Sequence, residues 1–210
     1  MMKQNNIKLV LWDYGGVLSY SPFKKIQEFE KKNNYTVNSI IKINSRNSFD
    51  NAWAQLEKNT IDVKEFIKRY KNEAKYFGIK KINPIDLLNC LETPLNKNMV
   101  NLLIKTSKKY KCACLTNNFK KGALKKNILN FDIIKKNFYK IFESSTLSMR
   151  KPEKEIYIHV LNTLGIKPEE IIFIDDLGIN LKPAREIGFN TYKMVDEKNT
   201  IEYINNILGL

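Results

Sequence analysis

At 210 residues, with 43% hydrophobic side chains and a net charge of +14, the chain can bury one good-sized core with a small appended unit and is too short for two full-sized domains. No apolar run approaches the roughly 20 residues needed to cross a bilayer, and Met1–Asn6 leads into the first apolar run without a signal-like segment, so a soluble, cytoplasmic protein with no membrane partner is expected. Three cysteines give no disulfide framework. The lysines are dispersed in pairs such as Lys24-Lys25 and Lys120-Lys121, with no compact basic stripe among aromatics, so nucleic acid is not an expected partner; the surplus charge reads as solvated surface that also suits anionic small molecules.

Ile7–Trp12 is a short apolar run that stops on Asp13 and turns through Gly15-Gly16, as a buried parallel strand does when it delivers a reactive group to the edge of a sheet. Pro22 cannot donate to a ladder, so the segment from Gly15 to Phe23 is expected to be a turn and flap beside that edge. From Phe23 to about Leu91 the periodicity is helical: Phe23, Ile26 and Phe29, then Ala52 and Leu56, then Phe66, Tyr70 and Ala74 recur at three- and four-residue spacing. Asp62 is a predicted N-cap with Glu65 at capping-box distance. Asn83-Pro84 and Thr93-Pro94 each open a helix, the second running from Leu95 to about Lys108.

Lys111–Thr116 is the predicted second strand, with Cys112 and Cys114 on one face as buried free thiols, and the run around Tyr139–Ser144 is the third. Pro152 is expected to start a helix with Ile156, Tyr157, Val160 and Leu164 on one face and Gly165 as its stop. Ile171–Ile174 is the fourth strand. A helix from about Leu181 to Ile187 follows, with Pro183 in its first turn and Gly188 as its stop, and Thr191–Val195 is the fifth strand. Strands and helices alternating in this way predict an α/β fold: a Rossmann-like parallel sheet covered by helices on both faces, with an inserted α-helical cap. Residues 1–18 and 93–210 form the expected core and 19–92 the cap.

In such a sheet the strand ends share one edge, so Asp13, Thr116 and Asp175-Asp176 converge although they lie far apart in sequence. Acids gathered there would repel an anionic substrate unless a divalent cation sat among them, and an all-oxygen set suits Mg²⁺. The ordered set Asp13, Leu115-Thr116-Asn117-Asn118, Met149-Arg150-Lys151-Pro152 and Asp175-Asp176 resembles the four motifs of the haloacid dehalogenase superfamily. More narrowly, Gly15-Gly16-Val17-Leu18 with Ser21-Pro22-Phe23, and Asp175-Asp176-Leu177-Gly178-Ile179-Asn180, look like the phosphatase-type domain at the N-terminus of soluble epoxide hydrolases.

The resemblance implies a Mg²⁺-dependent phosphomonoesterase acting on a small phosphorylated metabolite. Asp13 would be the nucleophile that forms an aspartyl-phosphate. The Thr116 hydroxyl, the Asn117 backbone N–H and Lys151 would hold the phosphate. Asp13, the Gly15 carbonyl and Asp176 would hold the metal, with Asp175 supporting or sharing ligation, and Asn180 would orient the loop that carries Asp176. Arg150 reads either as a contact to a substrate anion or as a solvent-facing side chain.

One position departs from the pattern. Phosphatases of the superfamily usually carry a second Asp two residues after the nucleophile as acid and base, and here that position is Gly15. Three readings follow: a phosphatase that tolerates glycine, as in the sugar-1-phosphate phosphatases that this motif resembles; a catalytically weak phosphate-binding or interaction protein; or a haloacid dehalogenase, which needs no such acid but usually lacks the acid pair. His159, about two turns beyond Lys151, is expected to be structural. Trp53, Arg69 and Tyr70 are the candidates for lining a substrate pocket.

Overall fold

The structure, a computed structural model, describes residues 6–120 and 134–210. Strand β1 (Leu9–Trp12) is followed by five helices: α1 (Phe23–Lys32), α2 (Ser39–Ser45), α3 (Ala52–Glu57), α4 (Val63–Tyr76) and α5 (Pro84–Asn89). Helix α6 (Lys97–Ser107) then leads into β2 (Lys111–Thr116), and after the undescribed segment come β3 (Lys140–Glu143), α7 (Ser144–Leu147) and α8 (Lys154–Leu164). Strand β4 (Ile171–Asp175), α9 (Gly178–Ile187), β5 (Asn190–Lys193) and α10 (Glu197–Leu208) complete the chain. Among the described residues no helix is long and apolar enough to cross a membrane.

The five strands are parallel in the order β3-β2-β1-β4-β5. Strand β1 is central, with Trp12 level with Cys114 on one side and Ile174 on the other. Its side chains alternate between two buried faces, as period-two geometry requires. Val10 and Trp12, with Cys112, Cys114, Ile172 and Ile174, pack against α6 and α10 through Leu103 and Ile204. Leu9 and Leu11, with Ala113, Leu115 and Phe173, pack against α8 and α9 through Tyr157 and Ala184. Such a sheet leaves the chain one polar outlet, the carboxyl ends of its strands, and Asp13, Thr116 and Asp175 stand there.

Helices α1–α5 bury a separate cluster that includes Ile26, Ile40, Trp53, Phe66, Tyr70 and Leu87. The chain leaves the sheet at Leu18–Tyr20 and returns at Thr93–Asn96, and these two passages run side by side. Tyr20 N donates to the Pro94 carbonyl at 3.0 Å, Asn96 N donates to the Leu18 carbonyl at 2.9 Å, and Ser19 and Leu95 form an isolated antiparallel bridge.

Several boundaries differ from the sequence reading. Thr93-Pro94 does not open α6: those residues are held in the return passage, and Asn96 caps the helix by accepting from the Asn98 and Met99 amides. Pro152 precedes α8 by two residues and belongs to a turn in which Glu153 N donates to the Arg150 carbonyl. Helix α9 starts at Gly178, so Pro183 falls inside it and not in its first turn; Asp175 fixes that start by accepting from the Leu177 amide. Helices α2, α7 and α10 were not anticipated. Asp62 caps α4 as expected, but Glu65 turns to Arg69 instead of completing a box.

Candidate active site

Asp13 is 6% exposed and lies one residue past β1, where its own amide donates to the Ile174 carbonyl at 2.9 Å. Its Oδ1 accepts from the Tyr14 amide at 2.7 Å and pairs with Lys151 Nζ at 2.7 Å. Both contacts fall on one oxygen, so Oδ2 bonds to no described residue and is the atom left for chemistry. Burial pushes the Asp13 carboxyl well above the usual carboxylate range, Asp175 and Asp176 add to the effect, and Lys151 pulls against it.

Lys151 is 1% exposed and bridges two carboxylates, with Nζ also 2.7 Å from Asp175 Oδ2. Burial alone would lower its ammonium, but Asp13 and Asp175 more than offset that and hold it above the usual lysine range. Its backbone is held at two points by one side chain: Lys151 N donates to Asn117 Oδ1 and Asn117 Nδ2 donates to the Lys151 carbonyl, each at 2.9 Å. The loop after β2 therefore sets the height of the ammonium above the sheet edge. Thr116 is buried at the same edge, with only a long 3.4 Å contact to the Asn117 carbonyl, so its hydroxyl is available to a ligand.

The two acids after β4 play different parts. Asp175 is fully buried and saturated: Oδ1 accepts from the Leu177 amide, Oδ2 pairs with Lys151, and Asn180 Nδ2 lies 3.1 Å from both oxygens. Asn180 thus grips Asp175, the residue before Asp176, whose Oδ1 also holds the Leu177 amide just beyond it, and Tyr157 OH donates to the Asn180 carbonyl at 2.7 Å to fix it in turn. The oxygens of Asp13, Asp175 and Asp176 can come within 4.8 Å of one another. Three carboxylates against one buried ammonium leave excess negative charge, and an all-oxygen set of this kind fits Mg²⁺.

Asp176 rests on Gly16, whose φ of +77° is a left-handed conformation, and a Cβ built there would land on the Asp176 carboxylate. The Gly15-Gly16 pair signalled a turn, but the steric role of Gly16 needed the fold. Gly16→Ala is therefore expected to weaken Mg²⁺ binding at least tenfold by displacing Asp176, and to cost roughly 1–2 kcal/mol from the left-handed backbone. Calorimetric titration with Mg²⁺ and a urea melt read the two effects; unchanged Mg²⁺ affinity would remove Gly16 from the site.

Burial and Asp175 push the Asp176 carboxyl up to about 7. A raised folded-state value means that stability from this group is present below the ordinary aspartate range and is lost as pH rises through about 7. A cation held by Asp176 would replace the missing proton, and Mg²⁺ would then raise the melting temperature more at about pH 8 than at about pH 5. Equal increments at both values would count against Asp176 as a ligand.

Above the edge lies a cavity of about 500 Å³ whose walls come from both the sheet edge and the inserted helices. Of the three predicted pocket residues only Trp53 lines it; Arg69 is tied on the surface to Glu65 and Gln55, and Tyr70 is buried in the insert with its hydroxyl on Asn44. Arg150 lines the cavity with part of its guanidinium already engaged, instead of facing open solvent. Its Nε meets Glu57 Oε2 at 2.6 Å and its Nη1 donates to the Ser48 carbonyl at 2.8 Å. The other Glu57 oxygen accepts from Trp53 Nε1 at 2.9 Å. Lys58 pairs with Glu153 at 2.8 Å, so the end of α3 is tied to the residues flanking Lys151. Glu57 was missed in the sequence because its charged partner, Arg150, lies 93 residues away. His159 sits edge-on to Phe142 and contacts Thr163, away from the site as expected.

A family model described as haloacid dehalogenase-like hydrolase matches residues 7–188. Rat bifunctional epoxide hydrolase 2 is 35% identical over 118 residues, covering 55% of this chain and 21% of that protein. Mouse acyl-CoA dehydrogenase family member 10 is 27% identical over 207 residues, covering 96% of this chain and 19% of that one. The chain thus spans about a fifth of the length of these curated relatives. Among solved structures, a HAD family enzyme from Bacteroides thetaiotaomicron in complex with magnesium and inorganic phosphate superposes with a TM-score of 0.59 at 26% identity, covering 89% of this chain and 93% of that chain. An L-2-haloacid dehalogenase from Xanthobacter autotrophicus shares the fold, with a TM-score of 0.61 at 15% identity over 95% of this chain and 83% of that one.

Proposed function

Since the chain belongs to the haloacid dehalogenase-like hydrolases, we propose that it is a Mg²⁺-dependent phosphomonoester hydrolase working through Asp13. The observation that carries the reading is the cluster of Asp13, Asp175 and Asp176 around a shared centre, with the Asp176 carboxylate seated on Gly16. Displacing a halide calls for no such cluster, which sets the dehalogenase reading behind this one. That a similar enzyme binds magnesium together with inorganic phosphate agrees with it.

Asp13, the Gly15 carbonyl and Asp176 would hold the cation, with Asp175 fixing Lys151 behind them. When bound, a divalent cation supplies charge neutralisation and polarises a phosphoryl oxygen. The Asp13 Oδ2 lone pair attacks phosphorus, the bond to the alcohol oxygen breaks, and an aspartyl-phosphate forms; water then attacks phosphorus, releasing phosphate and regenerating the carboxylate. The Lys151 ammonium and the Thr116 hydroxyl donate to the equatorial oxygens, where charge accumulates in the transition state.

Gly15 supports a second reading, a protein that binds phosphate and turns over poorly, because among the described residues no side chain fills the space that an acid at that position would occupy. The test is release of inorganic phosphate from alkyl and aryl monoesters, with Mg²⁺ and with chelator. Metal-dependent turnover of both is the expected result, with solvent supplying the proton. Release from the aryl ester alone would mean that the acid is missing, and none from either would favour the binding protein.

A further inference from the structure

Resting on that reading, we propose that Glu57 is a positioning residue for Lys151: from the inserted helices it holds both loops that carry the phosphate-binding groups, and so aims the ammonium. Glu57 is the last residue of α3 and is 7% exposed. It reaches the sheet edge twice. Its Oε2 meets Nε of Arg150, the residue before Lys151, at 2.6 Å. Its carbonyl accepts from Ser144 Oγ at 2.8 Å, and the same hydroxyl oxygen accepts from the Asn118 amide at 2.9 Å. Asn118 adjoins Asn117, whose side chain clamps the Lys151 backbone. One residue of the insert therefore grips the Lys151 turn directly and, through Ser144, the loop after β2 that holds it.

The aim of the ammonium depends on that grip. An ammonium has three donors, and Asp13 and Asp175 engage two of them at 2.7 Å each. One is left for a phosphoryl oxygen, and where it points is decided by the backbone that carries it. The turn around Lys151 is fastened to the insert at further points: Arg150 Nη1 donates to the Ser48 carbonyl, Glu153 Oε2 accepts from the Arg150 amide at 3.3 Å, and Glu153 Oε1 pairs with Lys58. The residue type at position 57 follows from its partners. Trp53 Nε1 and Arg150 Nε both donate, at 2.9 and 2.6 Å, so two acceptor oxygens are called for. A carboxylate supplies them, whereas a glutamine amide would set an N–H against one of the two donors, and aspartate is one methylene short.

The experiment compares wild type with Glu57→Gln, Arg150→Lys and the double variant on an aryl phosphate with Mg²⁺, turnover being expressed per folded molecule. Glu57→Gln should lower kcat about 30-fold, as a small misplacement of a reacting group does, and change KM less than about threefold, because the lost alignment tells where charge develops. Arg150→Lys keeps the charge without the Nε contact and should show the same split, so it carries the test if Glu57→Gln does not fold. The double variant should cost no more than the worse single one, since both act through one contact. Orthovanadate, which takes up the five-coordinate geometry of the transition state, should bind Glu57→Gln about 30-fold more weakly by calorimetry, and inorganic phosphate less than about threefold more weakly. Glu65→Gln, which removes a surface partner of Arg69 elsewhere in the insert, should match wild type. A raised KM at unchanged kcat, additive losses, or equal changes for vanadate and phosphate would make Glu57 an anchor of the insert only and overturn the assignment. If wild type released phosphate from no ester, the phosphatase reading would fall, and the comparison of vanadate with phosphate would still decide whether Glu57 aims Lys151.

Discussion

Asp13→Asn should abolish phosphate release, with turnover falling by about four orders of magnitude or more, while the fold holds or gains stability. An amide oxygen is a poor nucleophile toward phosphorus, and the substitution also removes one of the three oxygen donors of the cluster. The contacts that seat the side chain survive, because an amide oxygen in place of Oδ1 still accepts from the Tyr14 amide and from Lys151. Burial already disfavours the charged form of Asp13, so a neutral isostere relieves the metal-free protein. Phosphate release and a thermal melt run on one preparation separate the two effects. A variant keeping a tenth of wild-type turnover would end the case for Asp13 as nucleophile.

Lys151→Met should have the larger effect on stability. The side chain is 1% exposed and its ammonium is shared by Asp13 and Asp175. Methionine fills similar volume but leaves two carboxylates facing each other without their cation, a loss of about 3–5 kcal/mol for a broken buried charge pair. Loss of a donor to the phosphoryl oxygens should cut turnover a further 10²–10³-fold, by analogy with removal of one oxyanion-stabilising group. Urea midpoints with and without Mg²⁺ give the first quantity, since added cation should recover part of the stability but little of the rate. Full stability without metal would mean that the acids are neutral in the wild type and that the ammonium is not their counter-charge.

The sheet and its reactive edge were legible because the signals are local: apolar runs ending on Asp13, Thr116 and Asp175 need only the parallel register to bring them together. Caps carried by neighbouring residues, such as Asp62 and Asn83, were legible for the same reason. What escaped depends on partners distant in sequence. Helix α2 has little periodicity of its own, and its N-terminus is satisfied by Glu30, whose oxygens accept from the Asn38 and Ile40 amides at 2.8 Å. Arg150 could not be assigned until Glu57 was brought to it, and spacing alone could not tell that Asn180 reaches its loop through the Asp175 carboxylate. Helix α10 is a different case: Asp196 as cap and the Ile204 and Leu208 stripe were present in the sequence, and the reading stopped at Val195.

The two passages at Leu18–Tyr20 and Thr93–Asn96, bonded to each other where they cross, make the insert an interchangeable part. Its ends are neighbours in space, so a different set of helices could be spliced between them without altering the register of β1 against β2 and β4, and substrate preference could drift while the reactive edge stayed fixed. One constraint travels with any replacement. Arg150 takes its carboxylate from Glu57, inside the insert, so a foreign insert must bring an acid to the same place or leave a half-buried guanidinium unpaired next to Lys151. Ancestry in this lineage should therefore be traceable through that one pair even where the inserts share no other residue.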